Sequence, residues 1–344
     1  MGNIRLTLQV AATFVGTVVG AGFATGREIV QFFTQYGAWG TNGIVVSGIL
    51  FIFAGSKLMI TAQNIGARSY KDLNVFLFGP VFGAVMNGLV LFVLFGSSAV
   101  MLSGAGAVFH EQLGWPWQAG LFLTTVLCFL ALSNGLKGVM AVNAFVVPVM
   151  IVFTLFAAGV QWTASHDNAL TPPFPFHSGR LSWLISALSY ASFNLFAAQA
   201  VLVPLGHDIR DKQAIKNGGR LGGLLLMVLL LVSHWTLSGH PDTVFFQIPM
   251  AEVIRTFGMG IHLLFLAVIF GEIFTTLIGN IYGVKRYLAQ RFSIREPVLT
   301  ALLLGLIYPI SQFGYGPLLS NLYPLFGYLS LVFLLFVLLK KSGP

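Results

Sequence analysis

Long apolar runs alternate with short polar punctuation along nearly the whole chain. A spanning helix needs about 20 mostly apolar residues. On that rule the pattern predicts ten crossings, at about 4 to 36, 40 to 62, 76 to 109, 117 to 134, 138 to 163, 180 to 206, 217 to 236, 259 to 287, 297 to 311 and 316 to 338. Two intervening segments exceed simple turns: Thr163 to Gly179, with Pro172, Pro173 and Pro175, and Leu237 to Gly258, with an apolar run from Val244 to Ile254. The first divides the crossings five and five. Because five is odd, residues 166–344 run with opposite orientation to residues 1–165, an inverted repeat by topology. The second ends in Ala251-Glu252-Val253-Ile254-Arg255 and reads as a short amphipathic hairpin over the outer vestibule, with a helix at the lipid interface as the alternative.

Composition agrees: of 344 residues, 56% are hydrophobic and 8% charged, against about 25% charged in a soluble domain. The expected class is an all-α polytopic membrane protein with little left for a soluble domain. The net charge of +8 does not point to nucleic acid, because the basic residues fall in the gaps between apolar runs. With both termini in the cytoplasm, fifteen of the eighteen Lys and Arg residues lie inside, and only Arg180 and Arg255 lie in outer segments. An odd number of crossings would mix basic loops between the faces. A bacterial-type inner membrane is the expected location, with the bilayer and a small-molecule substrate as partners; the sequence leaves the oligomeric state open. The lone cysteine, Cys128, sits in the apolar run Leu121 to Leu132 and reads as a buried thiol.

The first crossing carries the most chemistry: Gly16-Thr17-Val18-Val19-Gly20-Ala21-Gly22-Phe23-Ala24-Thr25-Gly26-Arg27-Glu28. Each glycine costs a helix about 1 kcal/mol relative to alanine, and the stretch from Ile4 to Tyr36 is too long for one straight span. A break near Val19 to Gly22 accounts for both. Unwound backbone at membrane depth requires a polar cavity, where freed amides face an anionic group and freed carbonyls a cation. The competing explanation is close helix packing through small residues at Gly16, Gly20, Gly22 and Gly26.

The run from Val15 to Phe33 resembles the first helix of the YkvI-like family, assigned to the amino-acid permeases within the amino-acid/polyamine/organocation superfamily, and the layout is similar over essentially the whole chain. The resemblance implies a LeuT-type five-plus-five fold whose first and sixth helices are broken around a central site. On that reading Val19, Gly20, Ala21 and Gly22 bind substrate by backbone, and Tyr190, Phe193 and Asn194 of the sixth crossing shape the pocket. The sixth crossing, Ile185 to Leu195, lacks glycine, although Ser189, Ser192 and Asn194 offer groups to satisfy freed backbone. The implied function is symport of a small zwitterionic solute, an amino acid, coupled to sodium or protons.

A charge at the bilayer centre is costly, so ionisable residues within the spans are candidates: Arg27, Glu28 and Glu272. Arg27 and Glu28 lie above the break and read as an outer gate, for which the tenth crossing offers no acid. Glu272, Thr275, Thr276 and Gly279 follow i, i+3, i+4, i+7 spacing and share a helix face. The paired hydroxyls resemble the sodium site of LeuT-type transporters, to which Gly16 and Val19 add carbonyls; relatives do not generally carry an acid at the Glu272 position. No catalytic residue is assigned, and no cofactor beyond a sodium ion is expected. The rival functions are an uncoupled channel or facilitator, and a membrane-embedded transferase using His207 and Asp211.

Overall fold

In a computed structural model of the chain, residues 3–134, 148–159, 181–289 and 294–343 are described, and they form helices joined by turns. The long proline-bearing segment expected at the midpoint, with Arg180, lies outside the described residues.

Helix α1 (Ile4–Val18) begins at Asn3, whose side-chain oxygen accepts from the Arg5 amide at 3.0 Å and so satisfies one of the donors a helix start leaves open. It stops in mid-span. Val19 and Gly20 are extended, and two short helices follow, α2 (Ala21–Ala24) and α3 (Arg27–Phe32), joined at Gly26 in the left-handed region with φ 78°. Helix α4 (Ala38–Leu50) continues through a π turn into α5 (Ser56–Ile65). Helix α6 (Tyr70–Ala107) opens with a capping box between Ser69 and Asp72 and kinks at Gly79 and Pro80, where a positive φ meets a residue without an N–H.

There follow α7 (Trp117–Asn134), α8 (Pro148–Gly159), α9 (Ser182–Asp208), α10 (Lys212–Ser238), the short α11 (Pro249–Arg255), α12 (Met259–Ala289), α13 (Glu296–Ser311) and α14 (Tyr315–Leu339). Among the described residues, six spans are long and apolar enough to cross a membrane, and four shorter apolar helices accompany them: Ile4–Val18, Trp117–Ser133, Pro148–Gly159 and Glu296–Ser311. Large apolar side chains such as Phe92, Phe122, Leu130, Leu302, Leu306 and Leu335 stand exposed on the outside of the helices. Lipid is the solvent that suits such a surface, and the molecule is a multi-pass membrane protein.

Small residues set the close packing. On α10, a Cβ at Gly218 would come within 2.7 Å of the Thr7 carbonyl oxygen, and one at Gly223 within 2.7 Å of the Phe51 carbonyl carbon. These glycines let α10 lie directly against α1 and the α4–α5 span. Gly327 of α14 likewise packs on the backbone of Ser189 in α9. The helices around the break in α1 are therefore held by backbone-to-backbone approach.

Candidate functional site

The break is an interruption of a hydrogen-bond ladder. The last bond of α1 runs from Val19 N–H to Val15 O at 2.8 Å, and the ladder resumes with Ala24 N–H to Gly20 O at 2.9 Å. The four intervening carbonyls, of Gly16, Thr17, Val18 and Val19, therefore receive no helical bond. At Gly20 close packing is not the constraint, because a Cβ there would meet only Thr276 Oγ1, at 3.8 Å. That contact brings the hydroxyl of Thr276, on α12, to the unwound segment.

On α12, Glu272 is 1% exposed and its Oε1 has no hydrogen-bond partner, while Thr275 Oγ1 donates to the Glu272 carbonyl at 3.3 Å. Thr276 lies one turn from Glu272 on the same face. Gly279, expected on that face, is exposed. The arrangement offers carbonyls, hydroxyls and a carboxylate oxygen, the donor set of a hard cation.

Above the break the two charged neighbours part company. Arg27 Nη1 donates to the carbonyls of Val244 at 2.8 Å and Phe246 at 3.2 Å, so its partner is the 237–258 segment rather than an acid. Glu28, expected beside it in an outer gate, is buried in the core against Gly22, where a Cβ would come within 2.7 Å of Glu28 Cγ. The phenols of Tyr190, Tyr315 and Tyr323 lie within electrostatic reach of the Glu28 carboxyl. Tyr315 Oη pairs with Thr25 Oγ1 at 2.8 Å. Sequence reasoning missed Tyr315, Tyr323 and Thr25; the signal was the spacing of Tyr315 and Tyr323, eight residues apart on α14 and so on a shared helix face.

The 237–258 segment packs on protein. Ile248, Met250, Ala251, Val253 and Ile254 are buried, and the Met250 amide donates to Thr25 O at 3.0 Å. Glu111 accepts from the amides of Gln247 at 2.9 Å and Ile248 at 3.0 Å, and Gln247 Oε1 accepts from those of Tyr315 at 3.1 Å and Gly316 at 3.3 Å. The segment thus joins the end of α2, the π turn Val108–Gln112 that follows α6, and α14.

Two expectations are corrected. The sixth crossing is not broken: α9 runs without interruption from Ser182 to Asp208. It has no glycine before Gly206, and two of the three side chains that were to satisfy freed backbone instead bond their own helix, Ser192 Oγ to Leu188 O at 2.6 Å and Asn194 Nδ2 to Tyr190 O at 3.0 Å, while Ser189 Oγ is buried without a partner. Tyr190 still reaches the centre, with its ring against Phe32, Phe33 and Phe51, and Phe193 packs on Tyr323 at 4.7 Å. Nor do His207 and Asp211 form a transferase pair. His207 Nδ1 meets Asp208 Oδ1 at 2.9 Å, while Asp211 caps α10 and accepts from the Asn3 amide at 3.1 Å.

A broken first helix beside the hydroxyl-bearing face of α12 can be compared with known proteins. No family model matches the chain. The membrane protein YkvI of Bacillus subtilis (strain 168) is 45% identical over 335 residues, 97% of this chain and 96% of that protein. The chain belongs to the YkvI family. Among solved structures, MhsT in complex with L-phenylalanine superposes with a TM-score of 0.64 at 15% identity, covering 89% of this chain and 80% of that one. A Na+-coupled sialic acid symporter in a substrate-bound, outward-open state gives 0.60 at 11% identity, covering 94% and 75%. These likenesses establish the LeuT-type fold for this YkvI-family member.

Proposed function

We propose that the protein is a secondary active transporter, a symporter of a small zwitterionic solute, an amino acid, driven by sodium or protons through alternating access. On this reading ten crossings form two inverted repeats, 1–165 and 166–344, with both termini cytoplasmic. The observation that carries it is the interrupted ladder between Val19 and Gly20, which opens backbone at the centre of the fold beside Thr276. Two structurally similar proteins point the same way: one holds an amino acid, and the other couples to sodium.

Substrate would lie against Val19, Gly20, Ala21 and Gly22, with Tyr190 and Phe193 opposite; Asn194 is spent on its own helix. The coupling ion would take the freed carbonyls of Gly16 and Val19, the hydroxyls of Thr275 and Thr276, and the unpartnered Oε1 of Glu272. A sodium ion there supplies positive charge that offsets the burial of Glu272; a proton does the same by neutralising the carboxyl. Arg27 and the 237–258 segment would close the outer mouth.

Purified protein in liposomes, given radiolabelled amino acids under an imposed sodium or pH gradient, tests the proposal. Accumulation above the external concentration under one gradient, abolished by an ionophore that collapses it, is expected. Equilibration without accumulation would instead identify an uncoupled facilitator.

A further inference from the structure

The break holds a carboxylate that the protein itself does not neutralise. Glu28 is 6% exposed, and among the described residues neither a basic side chain nor a hydrogen-bond donor reaches its carboxyl. Arg27 is turned away toward the Val244 and Phe246 carbonyls. The buried histidine on α10, His234, is occupied by Thr34 Oγ1 at 3.0 Å and Thr41 Oγ1 at 3.2 Å. A buried carboxylate without a partner is strongly unfavourable, so a site that keeps one is built to receive positive charge.

The surroundings of Glu28 are rich in acceptors. Tyr190 Oη is buried and has no partner. Tyr315 and Tyr323 are already engaged, with Thr25 and Ser97 respectively. The unwound segment that leads into Gly22 also carries the carbonyls that the broken ladder leaves open. A primary ammonium brings one positive charge and three N–H donors, and needs only acceptors. Because residue 22 has no side chain, the Glu28 carboxyl lies directly against the unwound backbone, where a Cβ would overlap its Oε1.

We infer that Glu28 is the counter-ion of the substrate's ammonium group, with Tyr190 Oη as a second acceptor, so that the protein selects small solutes bearing a free amino group. This rests on the reading of the break as the substrate site. The carboxylate of a zwitterion then points away from Gly22, because two like charges about 4–6 Å apart oppose each other. Acids without an amino group are excluded for the same reason.

The test uses full-length protein and three matched sets of probes: L-alanine, L-leucine and L-phenylalanine, their N-acetyl derivatives, and ethylamine, isoamylamine and 2-phenylethylamine. Binding is read as ligand-dependent thermal stabilisation of wild type, Glu28→Gln and Glu28→Asp. At least one amino acid or its amine is expected to stabilise wild type while the N-acetyl compound does not. Glu28→Gln, which keeps the shape and removes the charge, should weaken that binding about 100-fold or more. Glu28→Asp should retain most of it, which also shows that the site tolerates substitution. Equal binding of the N-acetyl compound overturns the inference. So does unchanged binding by Glu28→Gln, the result expected if the residue carries only a proton. If no probe binds while the liposomes accumulate a solute lacking an amino group, the inference fails and the transport proposal stands; if nothing is accumulated or bound, both fail.

Discussion

Gly20 and Gly22 are two residues apart in the same break, yet alanine should have opposite effects at the two positions. Gly20 has φ −124° and ψ −170°, extended backbone open to any residue, and the nearest atom to an added Cβ is Thr276 Oγ1 at 3.8 Å. Gly20→Ala therefore meets no steric cost and gains about 0.4–1 kcal/mol from the reduced freedom of the unfolded chain. Gly22→Ala drives its Cβ into the Glu28 carboxyl, including within 2.7 Å of Cγ. Overpacking of this kind costs about 1–3 kcal/mol, against a helix-propensity gain of about 1 kcal/mol. The two variants should differ by about 0.4–3 kcal/mol, with Gly22→Ala the less stable. The assay is chemical unfolding of both variants in detergent, followed by a double-mutant cycle with Glu28→Ala. Removing the carboxyl should relieve the penalty and give a coupling of about 1–3 kcal/mol. Additive effects, or Gly22→Ala as stable as Gly20→Ala, would refute the placement of Glu28 against Gly22.

Three further outcomes follow from the same geometry. Arg27→Ala removes hydrogen bonds to Val244 and Phe246 from a charged donor, each worth about 1.5–3 kcal/mol; maleimide labelling at Ile248→Cys, in a Cys128→Ser background, should quicken at least tenfold, and an unchanged rate would deny the Arg27 contacts a closing role. Glu272→Gln and Thr276→Ala should each lose gradient-driven accumulation in liposomes, the first also changing its pH dependence, and wild-type accumulation in both would defeat the ion-site assignment. At the start of α10, amide donation from Ala214, then Asn3 and Gln213, holds the Asp211 carboxyl below its ordinary value. A depressed pKa gives stability that is present above the unfolded value, about 3.9, and lost as pH falls through the folded one. The stability gap between wild type and Asp211→Asn should accordingly close below about pH 4; a gap that persists unchanged there would contradict this.

The sequence by itself determined the solvent, the all-helical class and the first break. Apolar runs of membrane-spanning length leave few other solutions, and the glycines from Gly16 to Gly26 weaken one helix locally, which is information carried by neighbouring residues. Much of the α12 face was legible for the same reason, since i, i+3, i+4 spacing fixes Glu272, Thr275 and Thr276 relative to one another; Gly279, one step further along, turned out exposed. The tertiary structure decided everything that depends on distant partners. Whether Ser192 and Asn194 open α9 or bond their own helix depends on what packs around them, and here α14 closes directly on α9 through Gly327. Adjacent positions on a helix point about 100° apart, so sequence could say that Arg27 and Glu28 diverge but not where each points. Arg27 meets the carbonyls of a segment more than two hundred residues later in the chain. Glu28 turns into a cluster with tyrosines from α9 and α14, an environment set by long-range packing that no local pattern records.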